Sequence, residues 1–98
     1  MIQPGDVALA DLRDETRLRV LVVSDARFHR LAARAVVVPD VGADADEVLP
    51  PWRIEIEASV FAVDLLRSIP TDRLLDVVGR APAPQFEQVR RAVRHLIT

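Results

Sequence analysis

The chain of 98 residues contains no cysteine, no lysine and no tyrosine, and only 4% of it is aromatic. Without cysteine there is no disulfide, no thiolate nucleophile and no cysteine-type zinc site. That absence fits a reducing, cytoplasmic setting. With so few aromatics, the core must be built from Val, Leu, Ile and Ala. Without lysine, all 13 basic residues are arginine. A GC-rich genome gives this bias; arginine forks also suit bidentate phosphate contacts. Arg and Asp interrupt every apolar run before it could span a bilayer. The opening MIQPGDVALADL lacks the basic start and apolar centre of a signal peptide. The glycines Gly5, Gly42 and Gly79 are isolated, so no Gly-rich phosphate loop exists.

What is present is globular: half the residues are hydrophobic and 29% are charged. The length implies one domain spanning 1–98, with no room for a second core. The net charge of −2 is not that of a generic nucleic-acid coat, which would be basic.

Pro4-Gly5 signals a turn, and Asp6 to Leu12 alternates as a first strand. Arg13 to Arg17 is a charged connection. Leu18 to Ser24 is a β-branched second strand. Ser24-Asp25 can cap a short helix over Ala26 to Ala33, with Phe28 and Leu31 anchoring it to the core. Ala35 to Val38 is a buried third strand stopped by Pro39. Asp40 to Pro51 reads as a long acidic loop, of a length often tied to function. Arg53 to Glu57 alternates strictly, and Val60 to Leu66 is a further strand ended by Arg67-Ser68-Ile69-Pro70. Thr71 caps a helical turn over Asp72 to Leu75, and Asp76 to Arg80 is a last strand bent at Gly79. From Gln85 to Ile97, the residues Phe86, Val89, Val93, Leu96 and Ile97 form one apolar helical stripe. The strands are too closely linked for parallel crossovers. The expected class is therefore α+β: a small antiparallel, partly closed barrel or sheet with short helices and a C-terminal amphipathic helix.

Candidate chemistry is sparse. His29 and His95 lack metal-ligand spacing, and the acids Asp40, Asp44, Asp46 and Glu47 lack the spacing of a calcium loop. No metal or cofactor is expected. Glu55 and Glu57 share a strand face, but the alternation with Ile54 and Ile56 makes that a solvent face. Arg17 and Arg19, two apart at the start of the second strand, could hold a phosphate and stabilise charge in phosphoryl transfer. They could equally pair with Asp14 and Glu15. Ser24, Asp40, Ser68 or His29 could relay a proton.

Three segments resemble the MazF/PemK and CcdB toxin superfamily. They are Pro4-Gly5-Asp6-Val7 running into Ala10-Asp11-Leu12, Arg17 to Asp25, and Asp64-Leu65-Leu66-Arg67-Ser68-Ile69. Asp72-Arg73-Leu74, Val78-Gly79-Arg80 and the terminal helix follow in family order, so the likeness covers nearly the whole chain. It implies a compact SH3-like barrel that forms a homodimer with a groove between subunits. It further implies metal-independent, sequence-selective cleavage of single-stranded RNA, growth arrest, and neutralisation by a cognate antitoxin. On this reading Arg17 and Arg19 act on the phosphate, Asp40 or Ser24 moves protons, and Arg67, Ser68, Arg13 and Arg53 hold RNA. The family's Arg before Pro on the second strand aligns with Leu18, its Thr or Ser at the end of the third with Asp40, and its later Gln with Leu65. Two alternatives stand beside this one. The first is a non-enzymatic CcdB-type toxin acting on gyrase or another protein. That type carries a Trp-Gly-Ile type end, whereas His95-Leu96-Ile97-Thr98 closes this sequence. The second is a catalytically degenerate dimer that binds antitoxin.

Overall fold

The computed structural model describes residues 2–12, 17–42 and 51–97. Among the described residues seven strands and two helices follow one another: β1 (Asp6–Ala10), β2 (Leu18–Val22), α1 (Ala26–Ala32), β3 (Arg34–Pro39), β4 (Arg53–Ile56), β5 (Ser59–Ala62), β6 (Arg67–Pro70), β7 (Leu74–Arg80) and α2 (Ala83–Ile97). Single 3₁₀ turns occupy Val63–Leu65 and Thr71–Arg73.

Five strands form one antiparallel sheet in the order β6-β3-β2-β1-β7, and β4 and β5 form a hairpin. An isolated bridge between Asp40 and Phe61 ties the hairpin to the end of β3. The sheet cannot be flat. Its two edge strands, β6 and β7, are joined through Thr71–Arg73 alone. Four Cα steps reach at most roughly 14 Å, whereas four strand spacings in a flat sheet would need about 19 Å. The sheet therefore curls until its edges approach. Ile69 of β6 and Leu74 of β7 join one buried cluster with Ala8, Ala10, Val20, Val22, Ala35 and Val37. No ladder joins β6 to β7 among the described residues, so the expected barrel is a curled open sheet with a separate hairpin.

The other face carries Val7, Leu21 and Val38, covered by Ile54, Ile56, Phe61 and Val63 from the hairpin region and by Val89 and Ala92 from α2. A fully buried side chain of this kind contributes about 1.5–3 kcal/mol through removal from water. The helical stripe is shifted from its expected position. Phe86, Val89, Ala92 and Val93 pack inward, while Leu96 and Ile97 are exposed. Ala92, which is outside the expected stripe, is fully buried in this cluster.

Other expectations also change. Val60 to Leu66 is not one strand: β5 stops at Ala62, and Asp64 turns outward to meet Arg53. Arg67–Pro70 does not merely end a strand but forms β6, paired with β3 from Arg34↔Pro70 to Val37↔Arg67. Pro70 is tolerated there because the strand is an edge. Glu57 does not share a strand face with Glu55. It sits in the two-residue link between Ile56 and Ser59, at φ +56°. Thr71 caps nothing through its side chain and lies inside the 3₁₀ turn. Phe28 and Leu31 do not anchor α1, being 39% and 88% exposed, whereas His29 is buried. Gly79 does mark an irregular stretch: β7 slips in register against β1 between its pairings with Val7 and Ala8.

Candidate functional site

Arg19 and Asp40 come from opposite ends of the β2–β3 unit in sequence, yet they lie next to each other in space. The antiparallel register pairs Val20 with Pro39, so Arg19 faces Asp40 at the next position. The Asp40 N–H donates to the Arg19 carbonyl at 2.9 Å. Cross-strand neighbours project from the same face of a sheet. Asp40 Oδ1 accepts from the Gly42 N–H at 2.8 Å, an Asx turn that holds the carboxylate at the strand end. Arg17 is exposed immediately before β2.

Arg19 lines a cleft of about 330 Å³ between the sheet and the β4–β5 hairpin, with Glu57, Ser59, Phe61 and Arg80 among its other walls. Asp40 flanks this cleft through its bridge to Phe61. Arg80 is oriented by Asp6, whose Oδ1 accepts from Arg80 Nη1 at 2.7 Å and whose Oδ2 accepts from the Gln3 N–H at 2.9 Å. The cleft thus offers two guanidinium groups, a carboxylate and a hydroxyl, with a second carboxylate at its edge. Such a set can hold a phosphodiester and move a proton on it. Glu57 and Arg80 were not recognisable as partners of Arg19 from sequence, because a tight turn and the last sheet strand bring them there.

Ser24 lies beyond the other end of β2, five residues from Arg19 and so about 17 Å away along an extended strand. It does not share a site with Asp40. Its Oγ accepts from the Val36 N–H at 2.9 Å and lies 2.6 Å from His29 Nε2, while His29 Nδ1 is 3.2 Å from the Ile2 carbonyl. Only one assignment satisfies all three contacts with a neutral ring: Nδ1–H donates to Ile2, and Nε2 accepts the Ser24 hydroxyl proton. This pair fastens α1 and the N-terminal segment to β3.

The other expected RNA contacts are dispersed. Arg67 and Ser68 open β6, and Ser68 Oγ accepts from Arg34 Nε at 2.8 Å. Arg53 Nε and Nη2 donate to the two carboxylate oxygens of Asp64 at 2.7 and 3.1 Å. The Arg53 hydrogen bonds hold the Asp64 carboxyl below its usual range, and the same bonds raise the Arg53 guanidinium. Arg53 also borders a cleft of about 750 Å³ between β4 and α2, with Glu55, Gln88, Arg91 and His95. Arg13, Asp44, Asp46 and Glu47 lie outside the described residues. Among the described residues no group of three or more His, Asp or Glu is placed to hold a metal ion. No described helix is long and apolar enough to cross a membrane.

A curled five-stranded antiparallel sheet, a covering hairpin and helix, and an arginine–carboxylate cleft at the strand ends define a small α+β protein with a polyanion-compatible site. The chain belongs to the PemK-like, MazF-like toxin family of type II toxin–antitoxin systems, whose sequence pattern matches residues 3–97. No curated protein matches the sequence. Among solved structures it is similar to an endoribonuclease in complex with its cognate antitoxin from a mycobacterial species. That likeness has a TM-score of 0.84 and 19% identity, covering 99% of this chain and 95% of the other. It is also similar to MazE–MazF from Deinococcus radiodurans, with a TM-score of 0.85, 20% identity and coverage of 98% and 94%. The Mycobacterium tuberculosis toxin MazF-mt6 matches with a TM-score of 0.71, 17% identity and coverage of 93% and 94%. At these identities the likeness establishes the fold.

Proposed function

We propose that this toxin is an endoribonuclease that cleaves single-stranded RNA, selectively by sequence and without a metal, and so arrests growth. The observation that carries the reading is the adjacency of Arg19 and Asp40 at the cleft edge, within a chain of this toxin family. The guanidinium of Arg19, with Arg17 beside it, holds the non-bridging phosphate oxygens. Asp40 accepts the proton of the RNA 2′-hydroxyl, which attacks the adjacent phosphorus. The bond to the 5′-oxygen breaks, that oxygen takes up a proton, and a cyclic phosphate remains on the upstream strand. A carboxylate close to a phosphate repels it, so the arginines are also needed to keep Asp40 effective there. Arg67 and Ser68 hold the RNA further along, and Arg13 and Arg53 are further RNA contacts.

The chain works as a homodimer and is neutralised by a cognate antitoxin. Support for the antitoxin comes from the similar mycobacterial endoribonuclease, which was solved with its antitoxin, and from MazE–MazF. The deciding experiment incubates purified, antitoxin-free protein with several long RNAs in EDTA and maps the ends by primer extension. Discrete cuts that vanish in Arg17→Ala/Arg19→Ala support the proposal, and uniformly intact RNA overturns it.

A second reading, a catalytically silent member that binds antitoxin, has one observation in its favour. Leu18, which takes the place of the family's arginine, packs half-buried against the Ala8–Leu74 cluster and is unavailable to a phosphate. This reading predicts antitoxin binding with no growth arrest.

A further inference from the structure

Three arginines remote in sequence converge on a second concave site. Arg34 opens β3, Arg67 opens β6 and Arg73 closes the 3₁₀ turn before β7. They line a cleft of about 240 Å³ with Ser68 and, among the described residues, one carboxylate, Asp11, which has a contact of its own. None of the three arginines forms an ion pair among the described residues, unlike Arg27, Arg53 and Arg80. Arg34 is instead aimed by neutral groups: its Nε donates to Ser68 Oγ at 2.8 Å and its Nη2 to the Ser68 carbonyl at 2.9 Å. Gathering like charges around one cavity is unfavourable unless an anion fills it. The arrangement also runs against the sign of the whole chain, whose net charge is −2.

We propose that Arg34 and Arg73, together with Arg67, form a second phosphate subsite that holds a phosphodiester of the bound RNA strand away from the scissile one. The ligand's identity rests on the endoribonuclease reading. The placement suits one strand serving both sites. Arg67 pairs with Val37, three residues before Asp40 on β3, and β6 lies two strands from β2. The separation from Arg19 is therefore about 10 Å along the strands and about 10 Å across them. Arg67 and Arg19 leave opposite faces of the sheet, so the strand passes around the end of β3. This subsite would fix the RNA's position through its backbone, contributing affinity without reading a base.

The test titrates a fluorescent single-stranded RNA, 2′-O-methylated throughout so that it cannot be cut, into wild-type protein and variants over a range of salt. Arg73→Gln, whose side chain makes no described bond, should weaken binding about tenfold and lower the slope of log K against log salt by about 0.7, and Arg34→Gln/Arg73→Gln should weaken binding further and lower the slope by about 1.4. Arg27→Gln, which removes the same charge from α1, should leave both quantities unchanged. Arg73→Gln decides the matter if the double variant melts early. Wild-type affinity and slope in Arg73→Gln, or an equal loss in Arg27→Gln, overturns the subsite. If wild-type protein cuts no RNA yet binds this probe in an Arg73-dependent way, the subsite stands and the endoribonuclease reading falls.

Discussion

Arg19 and Asp40 are joined by a backbone hydrogen bond of 2.9 Å across β2 and β3, and no ion pair joins their side chains among the described residues. Both charged groups are thus held at the cleft by the sheet and not by each other. Replacing Arg19 by Ala should slow RNA cleavage about 10²–10³-fold, the usual loss for one donor to a developing oxyanion. Asp40→Asn should slow it by about 10²–10⁴-fold if Asp40 is the proton acceptor. Single-turnover rates for Asp40→Asn and Glu57→Gln, measured side by side, identify the base: a larger defect in Glu57→Gln moves the role to the hairpin turn.

Ser24 is bonded to the Val36 N–H and to His29, far from Arg19. Ser24→Ala leaves a part-buried backbone donor and a ring nitrogen without partners, at a cost of about 2 kcal/mol. For a domain of this size the melting temperature should fall by roughly 10 °C. Cleavage assayed well below the transition should stay near the wild-type rate. A severe rate loss in the still-folded variant would return Ser24 to the catalytic machinery.

The Arg53–Asp64 pair ties β4 to the 3₁₀ turn after β5, and its side chains are 20% and 37% exposed. The folded Asp64 carboxyl titrates below its unfolded value because of Arg53. Its contribution is therefore present above the unfolded carboxylate pKa and is lost as pH falls through the folded one. Exposure limits it to about 0.5–1 kcal/mol. Urea denaturation should show Asp64→Asn less stable than wild type at pH 7, with the gap closing below about pH 4. A gap that persists into acid would mean that packing, not charge, is lost.

Ala33 ends α1 at φ +53°, donating its N–H to the His29 carbonyl at 3.0 Å. A side chain in this left-handed region is strained, and glycine is not. Ala33→Gly should raise stability by roughly 0.5–1 kcal/mol, measurable as a higher urea midpoint with an unchanged slope. A lower midpoint would show that the added freedom of the unfolded chain outweighs the relief of strain.

Much of the fold could be read along the chain because it depends on local patterns. Leu18–Val22 and Arg34–Pro39 are β-branched and bounded by turn residues, and Asp25 caps α1 by accepting from the Arg27 N–H at 2.7 Å. Where two local patterns competed, the stronger-looking one misled. The apolar run Val60–Leu66 resembles one long strand, but Asp64 pairs with a residue eleven positions earlier and breaks it. Arg67–Pro70 looked like a terminator because Pro70 ends it, and only its pairing with β3 makes it a strand. His29 and not Phe28 is the buried residue of α1, because two specific hydrogen bonds to the imidazole ring outweighed the burial of a phenyl ring on a seven-residue helix.

The sequence by itself determined the α+β class, the arginine-only basic set, the amphipathic terminal helix and the family, since these follow from composition, period and motif order. The tertiary structure alone decided which charged groups meet. Antiparallel register brings Asp40 to Arg19 and separates both from Ser24. The three-residue link between β6 and β7 forces the sheet to curl and gathers Arg34, Arg67 and Arg73 around one cleft. The physical reason is that electrostatic and hydrogen-bonding partners act over a few ångströms of space. Their distance along the chain carries no such information until strand pairing fixes it.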